Sequence, residues 1–275
     1  MWCNIMDSAE VARIFEECWE EAMKIYTRAP PIWCSEKDLQ AYLYCKLSRK
    51  LKEVNQRLEE QFSVYVEMPI SLDPEMFFRR MSEGRPRRAR KVEVYIADIA
   101  IIGWEKETLY QNPYPSLYLI AELKYQPTTL IPIDILTLAQ EEELEDHKLT
   151  AYLLNNDGEL IAELERNTRT IREWRRSGPT KSDLDYYLGR GKSKPQIRKM
   201  IDIMKAYKNE HEVYGYLCIL EDLYPDLDSA LLEEIKQYDP PPQFRILFKY
   251  MPLDLDKIEA LIHKLHSIWR SRCST

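Results

Sequence analysis

Residues 91–126 read KVEVYIADIAIIGWEKETLYQNPYPSLYLIAELKYQ. Two runs in this stretch, VYIADIAII and LYLIAELKY, are joined by a polar loop. Each is short and dominated by β-branched, aromatic and other large apolar residues, which predicts a pair of strands rather than a helix. Charge interrupts both runs: Asp98 in the first, Glu122 and Lys124 in the second. A charged side chain within a buried strand loses its hydration, so it must be paired, bound to a cation or turned towards a cleft. Because side chains alternate along a strand, Glu122 and Lys124 share a face and Leu123 turns to the other. Two acids and a lysine at the ends of neighbouring strands make a candidate site for a hard cation beside a positive charge.

Working outward towards the N-terminus, QFSVYVEMPI (61–70) reads as a further strand. Between it and Asp98 lies a polar excursion with five basic residues in seven positions, Arg85, Arg87, Arg88, Arg90 and Lys91. Such a run suits either a loop that contacts phosphate or a solvated hairpin whose charges flank an apolar strand. Two helices are expected before it. The first starts at the capping-box-like Asp7–Glu10 and carries Val11, Ile14, Phe15, Trp19 and Met23 at helical spacing. The second starts at Ser35 and runs to about Gln61, with Leu39, Leu43, Leu47 and Leu51 along one face. Glu36 falls near that stripe and Asp38 away from it.

Towards the C-terminus, residues 134–176 read as helix broken at Asn155–Gly158, its first part acidic and its second ending in Arg166, Arg169, Arg172, Arg175 and Arg176. The face bearing Arg169, Arg172, Arg175 and Arg176 suits either a DNA backbone or salt bridges to the acidic first part of the same stretch. GRGKSKP (189–195) is a basic loop that suits phosphate but follows no strand, so it is not a nucleotide-binding loop. Gln196–Lys208 is an amphipathic helix leading into a buried strand, Val213–Leu220. A helix over 225–236, a strand over 245–251 and a helix over 255–272 close the chain. The four histidines lie outside the strands, and none joins a ligand set.

An Asp, then a loop and a strand carrying Glu-x-Lys, resembles the PD-(D/E)xK nuclease superfamily, which has the restriction-endonuclease-like fold. The matching residues are Asp98 and Glu122-Leu123-Lys124, with Ala97 where the motif's name has Pro. The resemblance spans residues 34–125 and 195–224. It implies an α/β fold: a central mixed sheet of four to five strands flanked by helices, with an αβββαβ core. On this basis the chain is one domain: N-terminal helical decoration over 1–33, core over 34–126 and 195–224, a helical insertion over 134–194 and C-terminal decoration over 225–275. It also implies Mg²⁺ or Mn²⁺ held by Asp98, Glu122 and the Leu123 carbonyl, and hydrolysis of phosphodiester bonds by metal-activated water with Lys124 beside it. The first core helix of this superfamily often carries an acid that reaches the metal, which makes Glu36 a catalytic candidate with Asp98, Glu122 and Lys124. An acid in a first turn also simply suits the helix dipole. The implied partner is nucleic acid, DNA rather than RNA, and a homodimer would let one site per chain cut a duplex. The rivals are a nuclease-like fold in which Glu122 and Lys124 form a structural ion pair, acting as a nucleic-acid or protein-binding module, and an α/β interaction protein with no site.

Composition sets the outer bounds. The chain has 275 residues, is 45% hydrophobic and carries a formal charge of −7, enough apolar content for a sizeable core. An acidic total is unlike a general nucleic-acid coat protein, yet a nuclease needs only a local basic stripe. There is no transmembrane run, and the acidic, amphipathic N-terminus is unlike a signal peptide. Six scattered cysteines without a CxxC pair predict reduced, mostly buried thiols in a cytoplasmic protein.

Overall fold

The computed structural model describes residues 6–28, 35–56, 60–74, 77, 94–105, 116–125, 127–141, 146–154, 158–190, 195–207 and 212–273. The basic run at 85–91 lies outside the described residues. A five-stranded sheet has the order β1 (Glu60–Ser71), β2 (Val94–Glu105), β3 (Ser116–Tyr125), β4 (Tyr214–Glu221), β5 (Phe244–Tyr250). Strands β1, β2 and β3 pair antiparallel, whereas β3 and β4 pair parallel. This is the expected α/β architecture, a mixed five-stranded sheet with helices beside it. Its parallel pair is the most covered: every residue of β4 is buried, and so are all of β3 but Ser116 and Lys124.

The chain divides into two compact units. The first comprises Met1–Gln126, Thr180–Leu220 and Asp228–Lys249. In it, α1 (Ser8–Arg28) and α2 (Glu36–Asn55) pack on each other and on the sheet. Asp7 caps α1 by accepting the Glu10 N–H at 2.8 Å, and Ser35 caps α2 through the Asp38 N–H. Leu39, Leu43, Leu47 and Leu51 of α2 are fully buried, as their spacing predicts. α6 (Lys181–Tyr187) carries a capping box between Thr180 and Asp183, and α7 (Gln196–Ala206) and α8 (Leu227–Lys236) follow. From α7, Met200, Ile203 and Met204 join Tyr207 in a core cluster with residues of β1, β2 and β3 that contains nothing from α1 or α2. α7 therefore covers the face of the sheet turned away from α1 and α2.

That cluster reveals an irregularity beside Asp98. On β2 it takes Tyr95 and Ala97 but then Ala100 and Ile102; on β1 it takes Ile70 and Met68 but then Tyr65. Strict alternation would send these groups to opposite faces. Both strands slip by one position at the same place, and the register there pairs Val66 with Ile99 and Met68 with Ala97, leaving Glu67 opposite Asp98 without ladder pairing. Glu67 has φ +50, in the left-handed region. A non-glycine residue there costs of order 1 kcal/mol, so the neighbouring packing must hold it.

Gly189 closes the turn after α6 with φ +61, and a Cβ there would lie 2.7 Å from Gln196 Cγ. Gly189→Ala should therefore cost about 1–3 kcal/mol, combining left-handed strain with overpacking. Urea denaturation checks this; a loss below about 0.5 kcal/mol, the level of an ordinary surface change, would mean the turn opens freely.

The second unit comprises Pro127–Pro179, Glu221–Leu227 and Tyr250–Thr275. Of the insertion expected over 134–194, the part up to Pro179 folds here as α3 (Ile133–Gln140), α4 (Asp146–Leu154) and α5 (Gly158–Ser177), which share a core with the C-terminal helix α9 (Leu255–Cys273), whereas the part from Thr180 belongs to the first unit. Ile135, Leu149, Leu164 and Ile171 meet Ile258, Leu261 and Leu265. Asp222 is buried in this unit, where its carboxylate accepts the Thr128 N–H at 2.9 Å; burial pushes it up to about 7. No helix among the described residues is long and apolar enough to cross a membrane.

Candidate active site

Strands β2 and β3 set the two acids side by side. Ile99 pairs with Ala121, and one more step along the antiparallel register places Asp98 opposite Glu122. Glu122 is 5% exposed and is held at both oxygens: Tyr95 Oη donates to Oε2 at 2.8 Å, and Lys124 Nζ donates to Oε1 at 2.7 Å. The pairing confirms that Glu122 and Lys124 share a face, and Lys124 is itself largely buried. A charge-assisted bond with both ends desolvated is strong, and each partner depends on the other for compensation. Burial alone would pull the lysine below its ordinary range. The Glu122 carboxylate outweighs it, with Glu36 and Asp98 adding to the pull, and holds Lys124 charged, above the ordinary lysine range.

Asp98 is positioned by backbone. Its Oδ2 accepts the Leu123 N–H at 2.7 Å, and its carbonyl, freed from the ladder opposite Glu67, accepts Gln40 Nε2 at 2.7 Å. Burial first, then the Glu122 carboxylate, push Asp98 up to about 6, against the pull of the Leu123 N–H and Lys124. Glu36 is half-buried at the start of α2. Its carboxylate is bonded by the Tyr125 backbone, and it feels both Lys124 and Asp98; burial raises it above the ordinary carboxylate range. Asp38 is exposed and committed to the cap, so the sorting of these two acids by helical spacing holds. Lys37 bonds Glu67 and reaches Gln40 Oε1 at 3.3 Å, which ties the irregular pair of strands back to α2.

The structure thus brings together Glu36, Asp98, Glu122, Leu123 and Lys124. Two partners escaped the sequence: Tyr95, which in a strand looks like any aromatic strand former, and the Lys37–Glu67 pair. A buried tyrosine needs a partner for its hydroxyl, and that was the available signal. Gln40, one turn on from Glu36, reaches the Asp98 carbonyl rather than an ion.

The arginines of α5 lie in the second unit. Arg172 forms ion pairs with Asp256 at 2.7 Å and Glu259 at 2.9 Å, so among the described residues its salt bridges run to α9 and not to the acidic stretch that precedes α5. Arg175 donates to the carbonyls of Asp222 and Leu253, each at 3.1 Å. Arg176 is exposed. Of the cysteines, Cys18 and Cys218 are buried free thiols and Cys45 is an exposed one.

Among the described residues, no three His, Cys, Asp or Glu side chains are grouped closely enough to hold a metal by themselves. The donor chemistry at Asp98 and Glu122 nonetheless suits a hard cation: carboxylate oxygens and the Leu123 carbonyl, with Mg²⁺ commonly keeping several waters on only one or two carboxylates. The charge balance suits it too, because Lys124 is committed to Glu122 while Asp98, raised by burial and then by Glu122, has no cation bonded to its carboxylate among the described residues. No family model, no curated protein and no solved structure matches this chain.

Proposed function

We propose that the protein hydrolyses phosphodiester bonds of DNA, using Mg²⁺ or Mn²⁺ held by Asp98, Glu122 and the Leu123 carbonyl. The observation that carries this is the juxtaposition of Asp98 with the Glu122–Lys124 pair on adjacent strands, in a setting buried enough to raise Asp98 to about 6. Perturbed acids that face one another are more frequent at reactive sites than in ordinary surfaces. A bound divalent ion supplies charge neutralisation at the phosphate and acidifies an attacking water.

The chain's own residues do the rest. Gln40 and the Leu123 N–H fix Asp98, and Tyr95 fixes Glu122. Lys124, held protonated by Glu122, is suited to stabilise negative charge developing on the phosphate and to orient water, not to remove a proton. Glu36 faces the same group of charges and is suited to accept a proton from water once ionised. A dimer would let two such sites address the two strands of a duplex.

Supercoiled plasmid and single-stranded DNA should be cut with Mg²⁺ or Mn²⁺ and not in EDTA, and Glu122→Gln should lower the rate by about 10²–10³-fold, the cost of removing one preorganised charged group. The variant keeps an acceptor for Tyr95 but leaves the buried Lys124 without its countercharge, so a melting curve establishes that it is folded before its rate is read. Metal-dependent cutting that survives Glu122→Gln would move the chemistry elsewhere.

A second reading rests on one observation: both Glu122 oxygens are already engaged, by Tyr95 and Lys124. A pair so complete also describes a nuclease-like fold that binds nucleic acid or protein without cutting. It expects no heat on titration with Mn²⁺.

A further inference from the structure

The first compact unit contains a second polar cavity that shares no residue with Asp98, Glu122 or Lys124. It has a volume of about 610 Å³ and is lined by Lys181, Arg190, Arg198, Glu234, Gln237 and Tyr238, with Leu184 and Pro195 beside them. Three of these side chains are cationic and one is anionic. The one acid is not available to balance the others: Glu234 is committed to Arg190 at 2.7 Å, and Arg190 also bonds Asp185 at 2.8 Å and the Tyr238 hydroxyl at 3.1 Å. Arg190 is therefore a fixed wall whose charge is already met by two carboxylates, not a flexible tail.

The other two cations differ from it. Lys181 and Arg198 are exposed at the rim and make no ion pair among the described residues. The Arg198 guanidinium lies 6.0 Å from the centre of the Tyr238 ring, which orients it towards the cavity wall it shares with that ring while leaving its N–H donors open. Gly189 and Gln196, bonded at 3.3 Å through the backbone, hold Arg190 and the start of α7 in register. The cavity thus combines one immobilised guanidinium with two uncompensated cations and two neutral polar groups. An anion with several acceptor oxygens can meet the two open cations and the neutral polar groups together, which the two oxygens of a carboxylate do less completely.

We propose that this cavity binds a phosphate group through Lys181 and Arg198 against the fixed Arg190. The source is either the backbone of a nucleic acid or a small phosphate ester; the first would make the cavity an anchoring point for the substrate proposed above, and that assignment alone rests on the nuclease reading.

The test compares the parent with Lys181→Gln/Arg198→Gln in EDTA, where no metal-dependent cutting can enter the readout. Binding of fluorescent single-stranded and duplex DNA is followed by anisotropy between 50 and 200 mM salt. Inorganic phosphate and a mononucleotide are titrated by calorimetry. If the cavity takes a backbone phosphate, the double variant loses DNA affinity severalfold. Its salt slope falls by about 1.4 for single strands or 1.8 for duplex, two contacts' worth. If it takes a small ester, heat seen with phosphate or the mononucleotide disappears in the variant while the DNA slope stays put. Both results support a phosphate site and separate its sources. Unchanged DNA affinity and slope, together with phosphate heats absent or unchanged, overturn it. A melting curve confirms that the variant is folded, which two exposed side chains without ion pairs lead one to expect. A parent that binds DNA through this cavity yet never cuts it would sink the hydrolysis reading and leave the cavity standing.

Discussion

Asp98→Asn should leave the protein more stable than its parent at pH 8, no more stable near pH 4, and without metal-dependent cleavage. The folded-state Asp98 titrates at about 6 and the ordinary value is 3.8. Below 3.8 the carboxyl is protonated in both states and contributes no difference. Between 3.8 and about 6 the folded state holds the extra proton, so stability falls as pH rises through that window and stays lost above it. Asparagine does not ionise and escapes that loss, which amounts to about 2–3 kcal/mol at most for a shift of this size. Its Oδ1 can still accept the Leu123 N–H. Paired melts at pH 4.5 and pH 8 measure the effect. Mn²⁺ should raise the parent's melting temperature at pH 8, because a cation removes the repulsion from Glu122, and should do little for the variant. Its affinity for the parent should weaken below pH 6, where a proton competes for Asp98. A variant that melts with the parent at both pH values would falsify the repulsion between the two acids. Absence of Mn²⁺ heat in the parent would favour the non-cutting fold.

Lys124→Met should be the costly counterpart. It keeps the apolar stem but strips the countercharge from Glu122, which is 5% exposed and would retain only the Tyr95 hydroxyl. Breaking one side of a buried ion pair typically costs about 3–5 kcal/mol. Adding Glu122→Gln should restore much of the stability, since neither partner is then charged, and a double-mutant cycle in urea reads the coupling directly. Cleavage should be absent from the single and double variants alike. A Lys124→Met protein within about 1 kcal/mol of its parent at pH 8 would mean that water reaches Glu122 and that the pair is of the weak, exposed kind.

The fold was legible where composition and spacing speak locally. β2 and β3 were readable because charge interrupts strongly apolar runs; α2 because Leu39, Leu43, Leu47 and Leu51 recur at helical spacing behind a Ser35 cap. α6 was not expected, because Lys181–Tyr187 is too short to display a period, although its Thr180–Asp183 capping box stands in the sequence. The residues taken as an insertion gave no sign of sharing a core with α9, since the helices that meet there are separated by some eighty positions, as Arg172 and Glu259 are.

The candidate site divides in the same way. That Glu122 and Lys124 share a face follows from the two-residue period of a strand, and that Glu36 turns towards the sheet while Asp38 does not follows from the helical period; both are properties of neighbours in the chain. Their partners are not. Tyr95 meets Glu122, Gln40 meets the Asp98 carbonyl, and Glu67 adopts φ +50 opposite Asp98 only because the register of β1 on β2 and the seat of α2 on both bring them together. The sequence by itself determined which side chains carry charge and which way each element turns it. Tertiary structure alone decided which charges are compensated and which are left raised, because desolvation and Coulomb energy depend on distance in space and not along the chain.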